Sequence, residues 1–580
     1  MSETEGVASV PTAESDVNKP KAKDRKIWLV NKNARRLLVG WLCTLLVIAG
    51  IAAGHLYVRY SESKRLGRYL PPVTACVAPN CPQPAPGLQA GPIITYAAPP
   101  PGVPGHAGSV PPPPPLMSAA IAAPATIHAA WTQLVPKDAN CVAGNCEPRI
   151  LLRALIPAHG SCDGLARDAK TNQPVKLSQR DNRRRDRFQI EVCEALLTLE
   201  QVGVNLANGS AIRWERLASG PGAISVIGDT GCNDEKAQNC NAVRSWPLAR
   251  VAAEAAWLNN DLIIHVGDYR YRGRDDWPNW QADFFEPARM LLLAAPWVML
   301  RGNHENCYKE NGFGWAFLLS PTFGHVPPCE DSARYDRASI EPAAAIDLKG
   351  LRLVTIDSAD SRYRCQSWID TFEQQDRAKL RELLKRPQFP REPQALWLLT
   401  HYPVFDVFET EPCPNKKNND GSTAGFHRLM AGEFAERSAD AIISGDSHSL
   451  QVHNVTSPIV GGGSANVLQF ITGHGGTQLD SRETAEKDLK QQNVTPPCSA
   501  TGAYVRCPDF HLGKPQGYAD GSNFKADARL RFEFGFMTAE RVDERSWEFR
   551  SRTLPDGKDE FSCRVPATDD KACVDASHAK

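Results

Sequence analysis

Five stretches of the chain carry residues that bind metals or move protons directly behind an apolar run. They are VIGDTG (Asp229), HVGDYRY (Asp268 and Tyr271), LRGNHE (Asn303 and His304), LLTHYP (His401) and ISGDSH (Asp446 and His448). Taken singly, each is ordinary. A Gly-Asp after a strand is commonly a turn or a helix cap, and a strand-end His commonly props a loop. Taken together, they supply carboxylates, imidazoles, a phenol and an amide oxygen. Such a mixed nitrogen and oxygen donor set suits iron, zinc or manganese rather than calcium.

These residues need elements that bring them to one place. AISVIG, LIIHVG, WVMLRG, LRLVTID, LWLLTH and AIISGD are short apolar runs of strand length. Helical patterns such as WPLARVAAEAAWL and FHRLMAGEFAER lie between several of them. Strand and helix in alternation predict an α/β fold, and runs this continuous predict strands buried on both faces. In open α/β sheets, sites gather outside the carboxyl ends of the strands, which is where all five motifs fall. The region from Leu530 to Leu554, with RFEFGFMTAER and WEFRSRTL, predicts closing antiparallel strands.

The ordered set GDTG, GDYRY, GNHE, LLTH and GDSH resembles the calcineurin-like metallophosphoesterases, and among them the purple acid phosphatases. The resemblance spans roughly residues 224–477. Most of that superfamily has Asp-x-His in the first motif. Here Gly231 stands in the His position, as in the purple acid phosphatases, and Tyr271 has their spacing from the second Asp. The resemblance implies a four-layer sandwich of two mixed sheets flanked by helices. It also implies two metal ions: Asp229, Asp268, Tyr271 and His448 would hold one, and Asp268, Asn303, His401 and Asp446 the other, with Asp268 shared. Fe(III) is expected at the tyrosinate and a divalent ion (Mn, Fe or Zn) at the second site. The implied activity is phosphate monoester hydrolysis, in which a metal-bound hydroxide attacks phosphorus in line and His304 protonates the leaving oxygen.

One position departs from the pattern. The family has Gly-His-x-His in the last motif, whereas this chain has Gly445-Asp446-Ser447-His448. Asp446 can ligate through oxygen as His does through nitrogen. It also adds negative charge, which shifts the second site toward harder ions such as Mn(II) or Fe(II) and weakens its hold on phosphate dianions. Two other readings stay open: a phosphodiesterase on the same metal core, and a membrane-anchored binding module whose metal site has degenerated. Near the motifs, Arg301 is either a phosphate contact or a structural cation. His474, in FITGHGGTQLD, is a substrate contact or a loop residue without a role, and Gly473, Gly475 and Gly476 could bring backbone close to the site. The aromatics of RYRGRDDWPNWQADFF line the rim or fill the core.

Composition frames the rest. The chain has 580 residues, with 66 Lys plus Arg against 66 Asp plus Glu, so nothing points to a nucleic-acid-binding surface. Residues 1–36 read as a disordered cytoplasmic tail. The 22 residues from Leu37 to Val58 carry no formal charge. That is long enough to cross a hydrocarbon core of about 30 Å, and a retained anchor is expected over a cleaved signal. Of 17 cysteines, Cys43 lies in this run and none precedes it. An even number therefore follows, which predicts disulfides, local pairs such as Cys141/Cys146, Cys232/Cys240 and Cys307/Cys329, and an extracytoplasmic (in a Gram-negative cell, periplasmic) catalytic domain. Residues 59–140 read as a Pro- and Ala-rich linker and 141–220 as a small β-rich domain. Residues 221–555 read as the metallophosphoesterase domain and 556–580 as a C-terminal tail. Substrate and oligomeric state have no signal in the sequence.

Overall fold

A computed structural model of the chain describes residues 126–137, 146–307, 312–329, 341–361, 370, 372, 374–384, 395–405, 430, 439–458, 464–483, 499–501, 504–512, 524–555, 558–567 and 572–575. The six apolar runs form the strands Ala223–Ile227, Leu262–His265, Trp297–Met299, Leu351–Thr355, Ala395–Leu399 and Ala441–Ser444. The first three lie side by side and parallel in one sheet, and the last three do the same in another. Their side chains alternate as a strand's must. Ile224, Val226, Leu262 and Ile264 enter the core between the sheets, while Ile227 and Ile263 enter the core beneath the flanking helices.

Among the described residues the first sheet has 11 strands and the second 9. The space between them is filled by large side chains from both. Trp397 of the second sheet meets Trp547 of the first with ring centroids 4.9 Å apart, and Phe470 stacks on Phe549 at 4.3 Å. Outside the first sheet pack the helices Leu248–Ala256 and Gly312–Leu318, with the aromatics Trp277, Trp280, Phe284 and Phe285. Outside the second packs the helix Arg377–Leu383. The expected layering of two mixed sheets between helices is observed. The aromatics after Tyr271 are core.

The first sheet is wider than expected at both edges. The strand Ala129–Pro136, within the segment expected to be linker, pairs parallel with Trp297–Met299. It does so because Ala130, Trp131, Leu134 and Val135 are all buried. The segment 141–220 is β-rich, but its longest strands, Pro148–Pro157 and Ile190–Leu197, continue that same sheet. Only Ala166–Asp168, Pro174–Val175, Gly203–Leu206 and Ala211–Arg213 form a separate 4-stranded sheet. The stretch 556–580 is not simply a tail either. Lys558–Val565 and Cys573–Asp575 add two strands at the other edge, where Phe561, Cys563 and Val565 alternate into the core.

Four disulfides join described residues: Cys162–Cys193, Cys232–Cys240, Cys307–Cys329 and Cys563–Cys573. Cys141 lies outside the described residues. So do the expected anchor Leu37–Val58, the tail before it and nearly all of the expected helix FHRLMAGEFAER. Among the described residues no helix is long and apolar enough to cross a membrane.

Candidate metal centre

Each ligand-type residue sits where a strand stops. Asp229, Asp268 and Asp446 each follow a Gly, and all three have left-handed backbone, with φ of 52°, 60° and 68°. Few side chains tolerate that conformation, and Asp is among those that visit it. The turn throws each carboxylate over the sheet edge. Gly267 is needed for a second reason: its φ is +106°, and a Cβ there would meet His401 Nδ1 at 2.6 Å. The 473–476 turn closes over the same edge, since a Cβ on Gly473 would lie 2.1 Å from the Ser447 carbonyl oxygen.

These turns bring the sequence-predicted residues together. Asp229, Asp268 and His401 are buried, with ligand atoms all within 4.8 Å of one another. The Tyr271 hydroxyl donates to Asp229 Oδ1 at 2.9 Å and lies 3.1 Å from His448 Nε2. Asn303 Oδ1 is 3.0 Å from His401 Nε2. Asp446 Oδ1 is 3.9 Å from the same nitrogen, and the Asp446 amide donates to Asp229 Oδ2 at 3.1 Å. His304 stands at the rim, half-buried, its ring 4.2 Å from that of Tyr271 and its amide donating to Asp268 Oδ1 at 2.9 Å.

The donor set fits metal ions on three counts. His401 Nδ1 donates to the Val266 carbonyl at 2.8 Å and His448 Nδ1 to that of Gln478 at 3.0 Å, so both rings turn an Nε2 lone pair into the cluster. The Asn303 amide oxygen faces only lone pairs. Turned over, the amide would donate to Asp268 at 3.0 and 3.2 Å. The oxygen-inward orientation is the one a cation selects. Finally, burial and the carboxylates of Asp229 and Asp268 push the Tyr271 hydroxyl well above its ordinary pKa, so a phenolate here requires a cation beside it.

Residues 223–450 match the family model described as calcineurin-like phosphoesterase. The match gives that stretch the character of a calcineurin-like phosphoesterase domain. The chain is accordingly a metal-dependent phosphoesterase. Among solved structures, a purple acid phosphatase from yellow lupin (Lupinus luteus) seeds is 13% identical, with 75% of this chain and 74% of that chain covered and a TM-score of 0.44. PhoD is 9% identical, with 77% and 91% covered and a TM-score of 0.44. No curated protein matches the chain.

Two residues of this phosphoesterase site carried no role in the sequence reading. Glu305, fully buried, accepts the amides of Asp268, Tyr269, Arg270 and Gly302 at 3.0, 2.9, 3.0 and 3.2 Å. It thereby holds the Asp268 turn against the Asn303 turn. Its place in GNHE was the available signal. His265, the last residue of its strand, is the other. Arg301 is resolved as a structural cation, with Nη2 2.6 Å from Asp357 Oδ2 and its guanidinium 5.7 Å from the Trp315 ring centroid. His474 is buried, and neither ring nitrogen has a partner among the described residues.

Proposed function

We propose that the chain is a binuclear-metal phosphomonoesterase of the purple acid phosphatase type. Asp229, Asp268, Tyr271 and His448 hold Fe(III). Asp268, Asn303, His401 and Asp446 hold a divalent ion, with Asp268 shared. The observation that carries this reading is the Tyr271 hydroxyl, which lies between Asp229 and His448. Bound ions would supply the positive charge that polarises a phosphoryl group and lowers the pKa of water.

The chain's own residues do the rest. Glu305 and the Gly267 turn keep Asp268 aimed into the cluster. His304 is half-buried beside Tyr271, where its ring can reach the leaving oxygen and hand it a proton. Asp446 replaces a neutral imidazole donor with an anion and favours Mn(II) or Fe(II) at the second site. The disulfides support work in an oxidising, extracytoplasmic compartment, with Leu37–Val58 as the tether.

The test is elemental analysis of the full-length protein, paired with hydrolysis of an aryl phosphate monoester and the matching diester. Two metals per chain, one of them iron, and faster monoester turnover are expected. Faster diester turnover would make it a phosphodiesterase. One metal or none, with no turnover, would make it a binding module. Asp446→His should change metal preference, and an unchanged preference removes Asp446 from the ligand set.

A further inference from the structure

Asp229 and Asp268 come from different strands, yet both must be aimed at one point. Their turns are already laced by backbone, with the Asp229 amide donating to the Gly267 carbonyl at 3.0 Å and the Thr230 amide to the Asp268 carbonyl at 2.9 Å. Glu305 braces the Asp268 turn, and its hydrogen bonds among the described residues go to Asp268, Tyr269, Arg270 and Gly302.

One side chain reaches both. The Gly267 amide donates to His265 Nδ1 at 3.1 Å, so that nitrogen carries no hydrogen. Nε2 therefore carries it and donates to Thr230 Oγ1 at 2.9 Å. Gly267 precedes Asp268, and Thr230 follows Asp229. The ring cannot swing away. It stacks on Tyr269 at 3.9 Å and 13° and meets the edge of Phe284 at 5.8 Å, and the residue is fully buried.

We propose that His265 is a positioning residue: through Gly267 and Thr230 it fixes Asp229 and Asp268 relative to each other, so that both carboxylates reach their metals. The inference rests on the metal-centre reading above. It gives a role to a buried imidazole that the hydrolytic chemistry itself does not use. Groups that orient metal ligands typically govern metal affinity about 10- to 100-fold.

The experiment uses the full-length, metal-loaded protein. Metal content is followed by elemental analysis against a graded series of chelator concentrations, with kcat and KM on an aryl phosphate and the melting temperature measured alongside. Thr230→Val keeps the shape and removes the hydroxyl, and should release metal at about 10-fold lower chelator or less. Thr230→Ser keeps the hydroxyl and should retain metal as the wild type does. His265→Gln, which keeps a donor toward Thr230 and loses the Gly267 contact, should fall between. Wild-type metal retention in both Thr230→Val and His265→Gln overturns the proposal, even with a lowered melting temperature, because His265 is then only core. Failure of Thr230→Ser to restore retention overturns it too. A wild-type protein that takes up no metal would instead overturn the metal-centre reading on which it rests.

Discussion

Arg153, Arg180 and Glu194 form one buried charge cluster in this molecule, and Asp229, Asp268, His401 and Asp446 form another. In the first, opposite charges meet. Arg153 Nε and Arg180 Nη1 both lie 3.1 Å from Glu194 Oε2, all three side chains wholly buried. The remaining guanidinium hydrogens go largely to carbonyls, with Arg153 donating to Leu318 and Thr322 at 2.7 Å and Arg180 to Ala316 at 3.0 Å. In the second, carboxylates face one another around an imidazole whose Nδ1 hydrogen is spent on Val266. Burial, together with Asp268 and Asp446, pushes the Asp229 carboxyl well above its ordinary pKa. In the first cluster one carboxylate bridges two guanidinium groups, which tie the segment after Gly312–Leu318 to the sheet. The second is short of positive charge, and a cation completes it. Such a cluster lowers the stability of the bare fold in return for a site.

Substitutions should separate the two. The largest effect is expected from Asp268→Asn, which removes the shared ligand. Hydrolysis should fall about 10³-fold or more, equal to several kcal/mol of barrier at 1.36 kcal/mol per decade, with loss of metal by elemental analysis. A protein that keeps its metals would break the contrast. His304→Ala should cost about 10²- to 10⁴-fold in kcat with metal content unchanged by elemental analysis. Glu194→Ala strands two buried guanidinium groups and should cost about 3–5 kcal/mol in denaturant unfolding, with metal stoichiometry of the folded fraction intact. Loss of metal there would mean the clusters are coupled.

The smallest effect concerns Asp168, outside both clusters. Its carboxylate accepts from the Thr171 amide at 2.7 Å, from Gln201 Nε2 at 3.1 Å and from the Lys170 amide at 3.0 Å. These bonds, that from Thr171 first, lower its pKa to about 2. A carboxyl depressed on folding contributes stability that is full above its unfolded pKa of about 3.9 and is lost as pH falls through about 2. Asp168→Asn should therefore melt lower by about 1 kcal/mol at neutral pH, and the gap to wild type should close between about pH 4 and pH 2. A gap independent of pH would assign the effect to packing.

The central strands and the residues at their ends were legible because both signals are local. A run such as Leu262-Ile263-Ile264 announces a strand buried on two faces, and Gly-Asp behind it announces a sharp exit. The edges were not legible. Ala129–Pro136 follows a Pro- and Ala-rich stretch that masks its burial, and Lys558–Val565 reads as polar because only alternate residues face the core. Gly473 and its neighbours were read as a close backbone approach, and the structure has one.

By itself, then, the sequence determined the kinds of donor present, their order along the chain and their place at strand ends. Those properties depend on residue type and on a period of two. Tertiary structure decided the partners. It set Arg301 on Asp357, aimed Glu305 at four amides, gave the Tyr271 hydroxyl to Asp229 and His448, and put His265 between two ligand turns. Each of those contacts except the Gly302 and Gly267 bonds joins residues more than 30 positions apart. Hydrogen-bond geometry at such separations follows from how two sheets pack, and no local pattern encodes it.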